Sequence, residues 1–155
     1  MNYIVEQLNI TNYDKSNDVW DMKSCPFTEQ FKEQIACGNR ESYLMKYNDK
    51  YIASCDLVYD YGEYTEESIK VYLSRLIVKK EYRNKGIGQE LLKYMIDLCK
   101  EKGYKQITVG VDTDNKNALH IYQKYGFAVY ETANDEYGEY YKMICRLSLP
   151  NTNLF

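Results

Sequence analysis

The sequence predicts an α/β (α+β) fold with a mixed, partly parallel central sheet of six to seven strands, flanked by about four helices. The second half of the chain alternates strand-forming and helix-forming segments, an order typical of parallel strands joined through helices. The first half carries strand-forming segments separated by a short polar turn. The length of 155 residues corresponds to one ordinary domain. We expect that domain to cover residues 1–149, followed by a tail over residues 150–155.

The first forty residues predict one strand and two helical segments. Strand-forming residues run from Tyr3 to Ile10, and a short helical stretch follows over Lys15 to Met22. A second helix is predicted over Thr28 to Ala36. We expect Thr28 to cap its first turn and Gly38 to end it.

A hairpin and an acidic loop come next. Residues 42–47 and 51–59 are rich in strand formers, and the turn Asn48-Asp49-Lys50 joins them. Residues 60–67 are polar, acidic and rich in tyrosine, which predicts a loop.

The second half predicts alternating strands and helices. A strand is predicted over Ile69 to Val78. A helix is predicted over Gln89 to Lys102, where apolar residues recur on one face and Gly103 is a natural stop. A short strand of alternating residues covers 107–111. The remaining elements are a helix capped by Asn115 or Asp114 and ended by Gly126, a strand over Phe127 to Thr132 and a last strand over Tyr140 to Leu149.

Composition narrows the function classes. The net charge of −3 opposes a general nucleic-acid binder, which normally presents a basic surface. The sequence has no apolar run long enough to cross a membrane, and residues 1–7 lack the pattern of a secretory signal. Five cysteines without CxxC spacing predict reduced thiols rather than disulfides or a zinc site. We expect a cytoplasmic protein without a metal, either a monomer or a homodimer.

A basic loop with two glycines joins a predicted strand to a predicted helix. Gly86 and Gly88 lack the Cβ atoms that would keep a ligand from the backbone, and the helix start presents free N–H groups beside the positive end of its dipole. Arg83 and Lys85 add positive charge. The arrangement favours a phosphorylated ligand, although a plain strand-to-helix turn has the same pattern. A dinucleotide fingerprint would need glycine at Leu91, and GxxxxGK[ST] is absent.

Two motifs resemble the GCN5-related N-acetyltransferase (GNAT) family. Arg83-Asn84-Lys85-Gly86-Ile87-Gly88 matches the family's [RQ]-x-x-G-x-[GA], and Leu76, Val78 and Arg83 match its approach L-x-V-x-x-x-x-R. The segment Asn115 to Phe127 matches the family's N-x-x-A-x-x-x-Y-x-x-x-G-F at every fixed position. The likeness covers about residues 69–130.

The resemblance implies an N-acetyltransferase that uses acetyl-CoA as cosubstrate, with direct attack of an amine on the thioester in a ternary complex. The pantetheine would lie between the fourth and fifth strands, where a backbone N–H can polarise the thioester carbonyl. The cofactor-binding residues that the family implies are Leu76, Ile77, Val78, Arg83, Asn84, Lys85, Gly86, Ile87, Gly88, Asn115 and Tyr122.

Tyr122 aligns with the family's general acid. A phenol with a pKa of about 10 is mostly protonated at neutral pH and can donate to the leaving thiolate. Core packing is the alternative explanation of Tyr122, and helix capping is the alternative for Asn115. His120 lies on another helix face and is expected to be solvated. The general base is not identified, because Ser74 and Arg75 stand near where many family members place a glutamate.

Two acidic groups interleaved with tyrosines, residues 56–67 and 135–140, can border the acceptor cleft in this fold. They favour a cationic acceptor such as a polyamine, an aminoglycoside-like amine or a lysine side chain, while a solvated acidic loop is the simpler explanation. Glu66, Glu67 or a water chain are candidates for the base. We expect the primary amine of a small molecule as acceptor. A protein N-terminal or lysine acetyltransferase and a non-catalytic acyl-CoA-binding module are the alternatives.

Overall fold

The computed structural model describes residues 2–147. The strands are β1 (Ile4–Leu8), β2 (Arg40–Tyr47), β3 (Lys50–Val58), β4 (Lys70–Val78), β5 (Gln106–Asp112), β6 (Phe127–Asp135) and β7 (Gly138–Arg146). The α-helices are α1 (Thr28–Ala36), α2 (Ile87–Glu101) and α3 (Lys116–Lys124), and 3-10 segments cover Ile10–Asp18, Gly62–Tyr64 and Lys80–Tyr82. The seven strands form one mixed sheet in the order β1-β2-β3-β4-β5-β7-β6. The predicted fold class is therefore confirmed.

The described residues divide into two compact units. The first unit contains the chain up to Val58 together with Leu73–Met95, and the second contains Tyr59–Tyr72 and the chain from Ile96 onward. Within residues 2–147, no helix combines the length and the hydropathy that a membrane crossing requires.

The first unit is built on the antiparallel strands β1, β2 and β3. Leu8 of β1 pairs with Ser42 of β2, and Tyr47 of β2 pairs with Lys50 of β3. Asn48 and Asp49 have φ angles of 48° and 63°, as the tight turn of a hairpin requires. The predicted hairpin is confirmed.

The helical segments of the first unit follow the predictions in part. The stretch predicted over Lys15 to Met22 is instead the 3-10 segment Ile10–Asp18, because the Asn9 side chain caps its start by accepting from two backbone N–H groups. α1 has its predicted bounds, and Gly38 follows its end with a φ of 85°. The predicted cap at Thr28 is wrong. Phe27 holds the N-cap position, and the Thr28 hydroxyl donates instead to the Met22 carbonyl.

The second unit contains the parallel pairing of the sheet. Lys70–Tyr72 of β4 run parallel to Gln106–Thr108 of β5, while β5 and β7, and β7 and β6, are antiparallel. Val71, Ile107 and Met143 are fully buried in this part of the sheet. The last strand ends at Arg146 rather than Leu149. Residues 148 and 149 and the predicted tail 150–155 lie outside the described residues.

Candidate active site

The connection from β4 to α2 has the backbone of an anion-binding turn. The Tyr82 N–H donates to the Lys79 carbonyl at 2.8 Å and starts the turn. Asn84 and Gly86 then adopt left-handed conformations, with φ angles of 62° and 80°. Left-handed residues in such a turn can direct neighbouring N–H groups toward one side, as in the backbone concavities that bind anions. The predicted strand–loop–helix order is confirmed.

Gly86 and Gly88 serve different purposes in this loop. A Cβ on Gly86 would meet no described atom within 4 Å, so open space lies in front of the backbone there. A Cβ on Gly88 would stand 3.4 Å from Val78 Cγ2, so Gly88 lets α2 begin close against the end of β4. The first N–H groups of α2 have no acceptor inside the helix and lie at the positive end of its dipole. The helix start therefore has the properties of a phosphate site.

Positive charge predominates in this loop, where Lys79, Lys80, Arg83 and Lys85 outnumber the flanking Glu81 and Glu90. The Arg83 Nε donates to the Val78 carbonyl at 2.9 Å and ties the loop to the last residue of β4. The Lys85 Nζ lies 5.6 Å from the centroid of the Tyr82 ring. Lys80 and Lys85 are exposed, and neither forms an ion pair with any residue in the described range. A polyphosphate fits this balance of charge better than a neutral ligand.

The end of β4 keeps its backbone within reach of a ligand. Leu76, Ile77 and Val78 are half-buried, whereas Leu73, earlier in the same strand, is fully buried. The Lys79 N–H continues the strand pairing by donating to the Ile52 carbonyl at 2.8 Å. The predicted pantetheine segment and the predicted pyrophosphate loop thus belong to one unit and follow each other directly.

Arg75 carries a backbone strain that the sequence did not predict. Its φ is 60°, in the left-handed region, although it lies inside β4. This conformation costs a residue with a Cβ about 1–2 kcal/mol. Such strain clusters at functional sites. Here it falls on the residue immediately before Leu76.

A buried ion pair holds the strand beside this strained position. The Arg40 Nη1 donates to Asp56 Oδ2 at 2.7 Å and to Ser74 Oγ at 3.3 Å. Its Nε donates to Gln34 Oε1 at 2.7 Å. The side chains of Arg40 and Asp56 are each 6% exposed. Asp56, one of the acids assigned to the acceptor side, is therefore already neutralised by Arg40.

α3, in the second unit, carries the two remaining predicted site residues. The Asn115 side chain accepts from the Ala118 N–H at 3.2 Å, so Asn115 caps this helix. Tyr122 is 6% exposed, and its ring meets Phe127 edge-to-face at 5.2 Å between centroids. His120 is exposed. Both Asn115 and Tyr122 therefore have structural roles, and their roles toward a ligand stay predictions.

The predicted loop over residues 60–67 contains one short 3-10 segment, Gly62–Tyr64, and two of its tyrosines pack with Tyr72 of β4 in a ring cluster. The ring centroids of Tyr61, Tyr64 and Tyr72 lie 4.9–5.3 Å apart. The Tyr64 hydroxyl donates to the Tyr140 hydroxyl at 3.3 Å. Burial, followed by this hydrogen bond, raises the pKa of Tyr64, which keeps the phenol protonated. The Tyr72 hydroxyl stands 3.4 Å from the place that a Cβ on Gly110 would occupy.

Lys142 is a charged residue of this region that sequence reasoning missed. It is 6% exposed, and its Nζ forms ion pairs with Glu63 and Glu131. Hydrogen bonds to Glu131 and then Glu63 raise the pKa of Lys142. Because one ammonium cannot neutralise two carboxylates, the group of Lys142, Glu63 and Glu131 stays net negative, and Glu66 and Glu67 are exposed. The alternation of β7 gave no signal for these partners, because they come from distant parts of the chain.

The two sequence motifs belong to a longer family match. The sequence model of the acetyltransferase (GNAT) family matches residues 10–127. The chain belongs to this family. The resemblance found in residues 69–130 is confirmed, and the match also takes in most of the first sixty residues.

The curated relatives differ in the acceptor that their names give. The chain is 29% identical over 90 residues to N-alpha-acetyltransferase 30 of Schizosaccharomyces pombe, covering 58% of the chain and 59% of that protein. It is 32% identical over 69 residues to thialysine N-epsilon-acetyltransferase of Bos taurus, covering 44% and 41%. The chain thus spans less than two thirds of either relative. The crystal structure of a Bacillus subtilis acetyltransferase in complex with CoA shares the GNAT fold, with a TM-score of 0.78, 20% identity and coverage of 95% and 100%.

Proposed function

We propose that this protein is an N-acetyltransferase that transfers the acetyl group of acetyl-CoA to a primary amine of a small molecule. The observation that supports it most is the β4–α2 loop. Its left-handed Asn84 and Gly86, its exposed lysines and its helix start suit a pyrophosphate, in a chain that belongs to the GNAT family.

The residues of the first unit would hold acetyl-CoA. The N–H groups of the segment Arg83 to Gly88 would bind the pyrophosphate, and Arg83, Asn84 and Lys85 would shape and charge the loop. The half-buried backbone of Leu76, Ile77 and Val78 would bind the pantetheine. When bound, acetyl-CoA supplies the activated thioester.

Tyr122 is the general acid in this proposal. A thiol leaving group has a pKa near 8.5 by analogy with cysteine, so its departure needs only modest help. A phenol meets that need because it is protonated at neutral pH.

A peptide amine is the second candidate acceptor. The match to an N-alpha-acetyltransferase supports it, since that relative is named for acetylation of an α-amine. A non-catalytic acyl-CoA-binding module would keep the same loop without turnover.

Two measurements test the proposal. Thermal shift with acetyl-CoA, CoA, NAD and ATP should show stabilisation by the first two ligands above all. Release of free CoA thiol, followed against a panel of small amines and short peptides, should show turnover with a small amine. Stabilisation by NAD but not by CoA would overturn the cosubstrate assignment. Stabilisation by CoA without thiol release for any amine would reject catalysis and favour a non-catalytic acyl-CoA-binding module. Turnover of peptides alone would reject the small-molecule acceptor and favour a peptide amine.

A further inference from the structure

Arg75 presents a guanidinium group that no acid in the described part of the chain neutralises. Its Nη2 lies 3.5 Å from Met22 Sδ, and its Cζ lies 4.7 Å from the centroid of the Phe31 ring. A thioether sulfur is only a weak hydrogen-bond acceptor. The Phe31 ring attracts the guanidinium through its face and leaves the N–H groups at the guanidinium edge without an acceptor. Asp56, the buried acid of this unit, is bound to Arg40. Arg75 is half-buried, so donors of its fork remain open to a ligand.

The Tyr13 hydroxyl belongs to the same neighbourhood. Tyr13 and Met22 share one core cluster of the first unit, and Phe31 packs against that cluster. Tyr13 is 6% exposed, and its hydroxyl makes no hydrogen bond to any described residue. No fully buried side-chain oxygen in residues 2–147 lacks a partner, so this hydroxyl keeps contact with solvent. The Tyr13 hydroxyl is therefore a second donor of this neighbourhood without a protein partner among the described residues.

The electrostatics of Tyr13 agree with this placement. Burial, and after it the charge of Asp56, raise the pKa of Tyr13 to about 12, while Arg75 and Arg40 oppose the rise. The phenol therefore stays protonated and can donate. The Lys32 Nζ lies 5.6 Å from the centroid of the Tyr13 ring, but it is paired with Glu29 Oε1 at 3.6 Å and adds little net charge. Arg75 is thus the cation of this group without an acidic partner among the described residues, and its charge together with the Tyr13 donor favours an anion.

The backbone fixes where the Arg75 side chain leaves β4. Ser74 is held on both sides, because its hydroxyl accepts from Arg40 and its carbonyl accepts from the Cys55 thiol at 3.8 Å. Arg75 follows in its left-handed conformation, and Leu76 comes next. The guanidinium thus extends from the strand to which the proposed function assigns the pantetheine.

We propose that Arg75 and the Tyr13 hydroxyl bind a carboxylate of the acceptor, so that the substrate is an amine that also carries a carboxylate, as an amino acid does. A guanidinium fork matches the two oxygens of a carboxylate, and such charge-assisted pairs are stronger than neutral hydrogen bonds. The inference rests on the proposed function, since it names the substrate class of the same enzyme. It also separates the two candidate acceptors, because a peptide carries an amide next to its α-amine where an amino acid carries a carboxylate.

The test compares amino acids with their carboxamides, for example L-lysine with L-lysinamide, as acceptors at saturating acetyl-CoA. We expect kcat/KM to favour the carboxylate at least tenfold for one or more pairs. Arg75→Asn should reduce this preference at least tenfold, and Tyr13→Phe should reduce it partly. Asparagine tolerates the left-handed conformation, so Arg75→Asn keeps the backbone. Arg146→Gln, which removes the same charge from an exposed residue of β7, is the control and should keep the wild-type preference.

A binding measurement makes the result independent of turnover. In the presence of CoA, the preferred amino acid should raise the melting temperature of the wild type more than its carboxamide does, and Arg75→Asn should abolish the difference. Turnover with equal rates for carboxylates and carboxamides would overturn this inference and leave the proposed function standing. Absence of turnover for every amine would overturn the proposed function. In that case, stabilisation by the carboxylate but not the carboxamide, lost in Arg75→Asn, would still support the carboxylate subsite. Equal stabilisation by both compounds would overturn the subsite as well.

Discussion

Gly86→Ala tests whether the β4–α2 loop binds acetyl-CoA through its backbone. Gly86 has a φ of 80°, where an added Cβ costs about 1–2 kcal/mol. The new methyl group would meet no described atom within 4 Å, so only the backbone conformation should contribute to the loss of stability. In a chain of this length, 1 kcal/mol corresponds to about 2–4 °C in Tm. The Tm of the free protein should therefore fall by about 2–8 °C.

The effect on ligand binding comes from the same atom. A phosphate oxygen must approach a backbone nitrogen to about 2.9 Å to accept its hydrogen bond. Open space in front of Gly86 makes such an approach possible, and a methyl group would occupy part of that space. We expect the Kd for CoA to rise at least tenfold, which corresponds to about 1.4 kcal/mol.

Gly38→Ala is the matched control for this experiment. Gly38 lies in the same unit and has a φ of 85°, and a Cβ added to it would also meet no described atom within 4 Å. Both variants should lose similar stability in thermal denaturation, and isothermal titration with CoA should separate them. Wild-type CoA affinity in Gly86→Ala, at the expected loss of Tm, would refute the assignment of the loop.

Three further changes test other parts of the molecule. Tyr122→Phe should lower turnover at saturating acetyl-CoA by about 10²-fold, the low end for general acids, without weakening CoA binding, and unchanged turnover would remove Tyr122 from the acid role. Arg40→Met should cost about 3–5 kcal/mol in urea denaturation, because it leaves Asp56 buried without a partner, and a loss below about 1 kcal/mol would contradict the burial of the pair. The Tyr51 hydroxyl donates to Glu6 at 2.9 Å and lowers the pKa of Glu6, so the contact stabilises the fold above the ordinary glutamate pKa and is lost as pH falls through the lowered value. Tyr51→Phe should raise the Glu6 pKa in an NMR titration, and an unchanged value would show that the hydrogen bond is not its cause.

Local patterns were sufficient for the elements that carry the loop. The apolar residues that repeat along the predicted helix 89–102, Leu91, Leu92, Met95 and Cys99, are all fully buried in α2. The C-terminal ends of α2 and α3 were also predictable from the sequence. Gly103 and Gly126, which follow these helices, have φ angles of 89° and 96°, which glycine adopts without strain. In such cases the signal and its physical cause lie within a few residues of each other.

Contacts between segments distant in sequence could not be predicted in the same way. Thr28 has the residue type of a helix cap, yet its hydroxyl donates to Met22, six residues earlier. The Lys142 Nζ donates to a carboxylate oxygen of Glu63, which lies 79 residues away in the sequence. Arg75 is left-handed inside a strand, where its residue type gives no such signal. Each outcome depends on which segments the fold brings together, and residue type alone does not encode that.

This difference matters most for the acceptor. The sequence predicted a cationic acceptor from the number of acids in residues 56–67. In the folded protein, however, a ligand meets the net charge of all neighbouring groups, including the cations that pair with these acids. Asp56 is neutralised by Arg40, whereas Lys142 is shared between Glu63 and Glu131. Arg75, which was noted only because it stands where other family members have an acid, retains its charge. Arg75 thus leaves a positive charge without an acidic partner beside the strand to which the proposed function assigns the pantetheine, and the proposed carboxylate subsite follows from that charge.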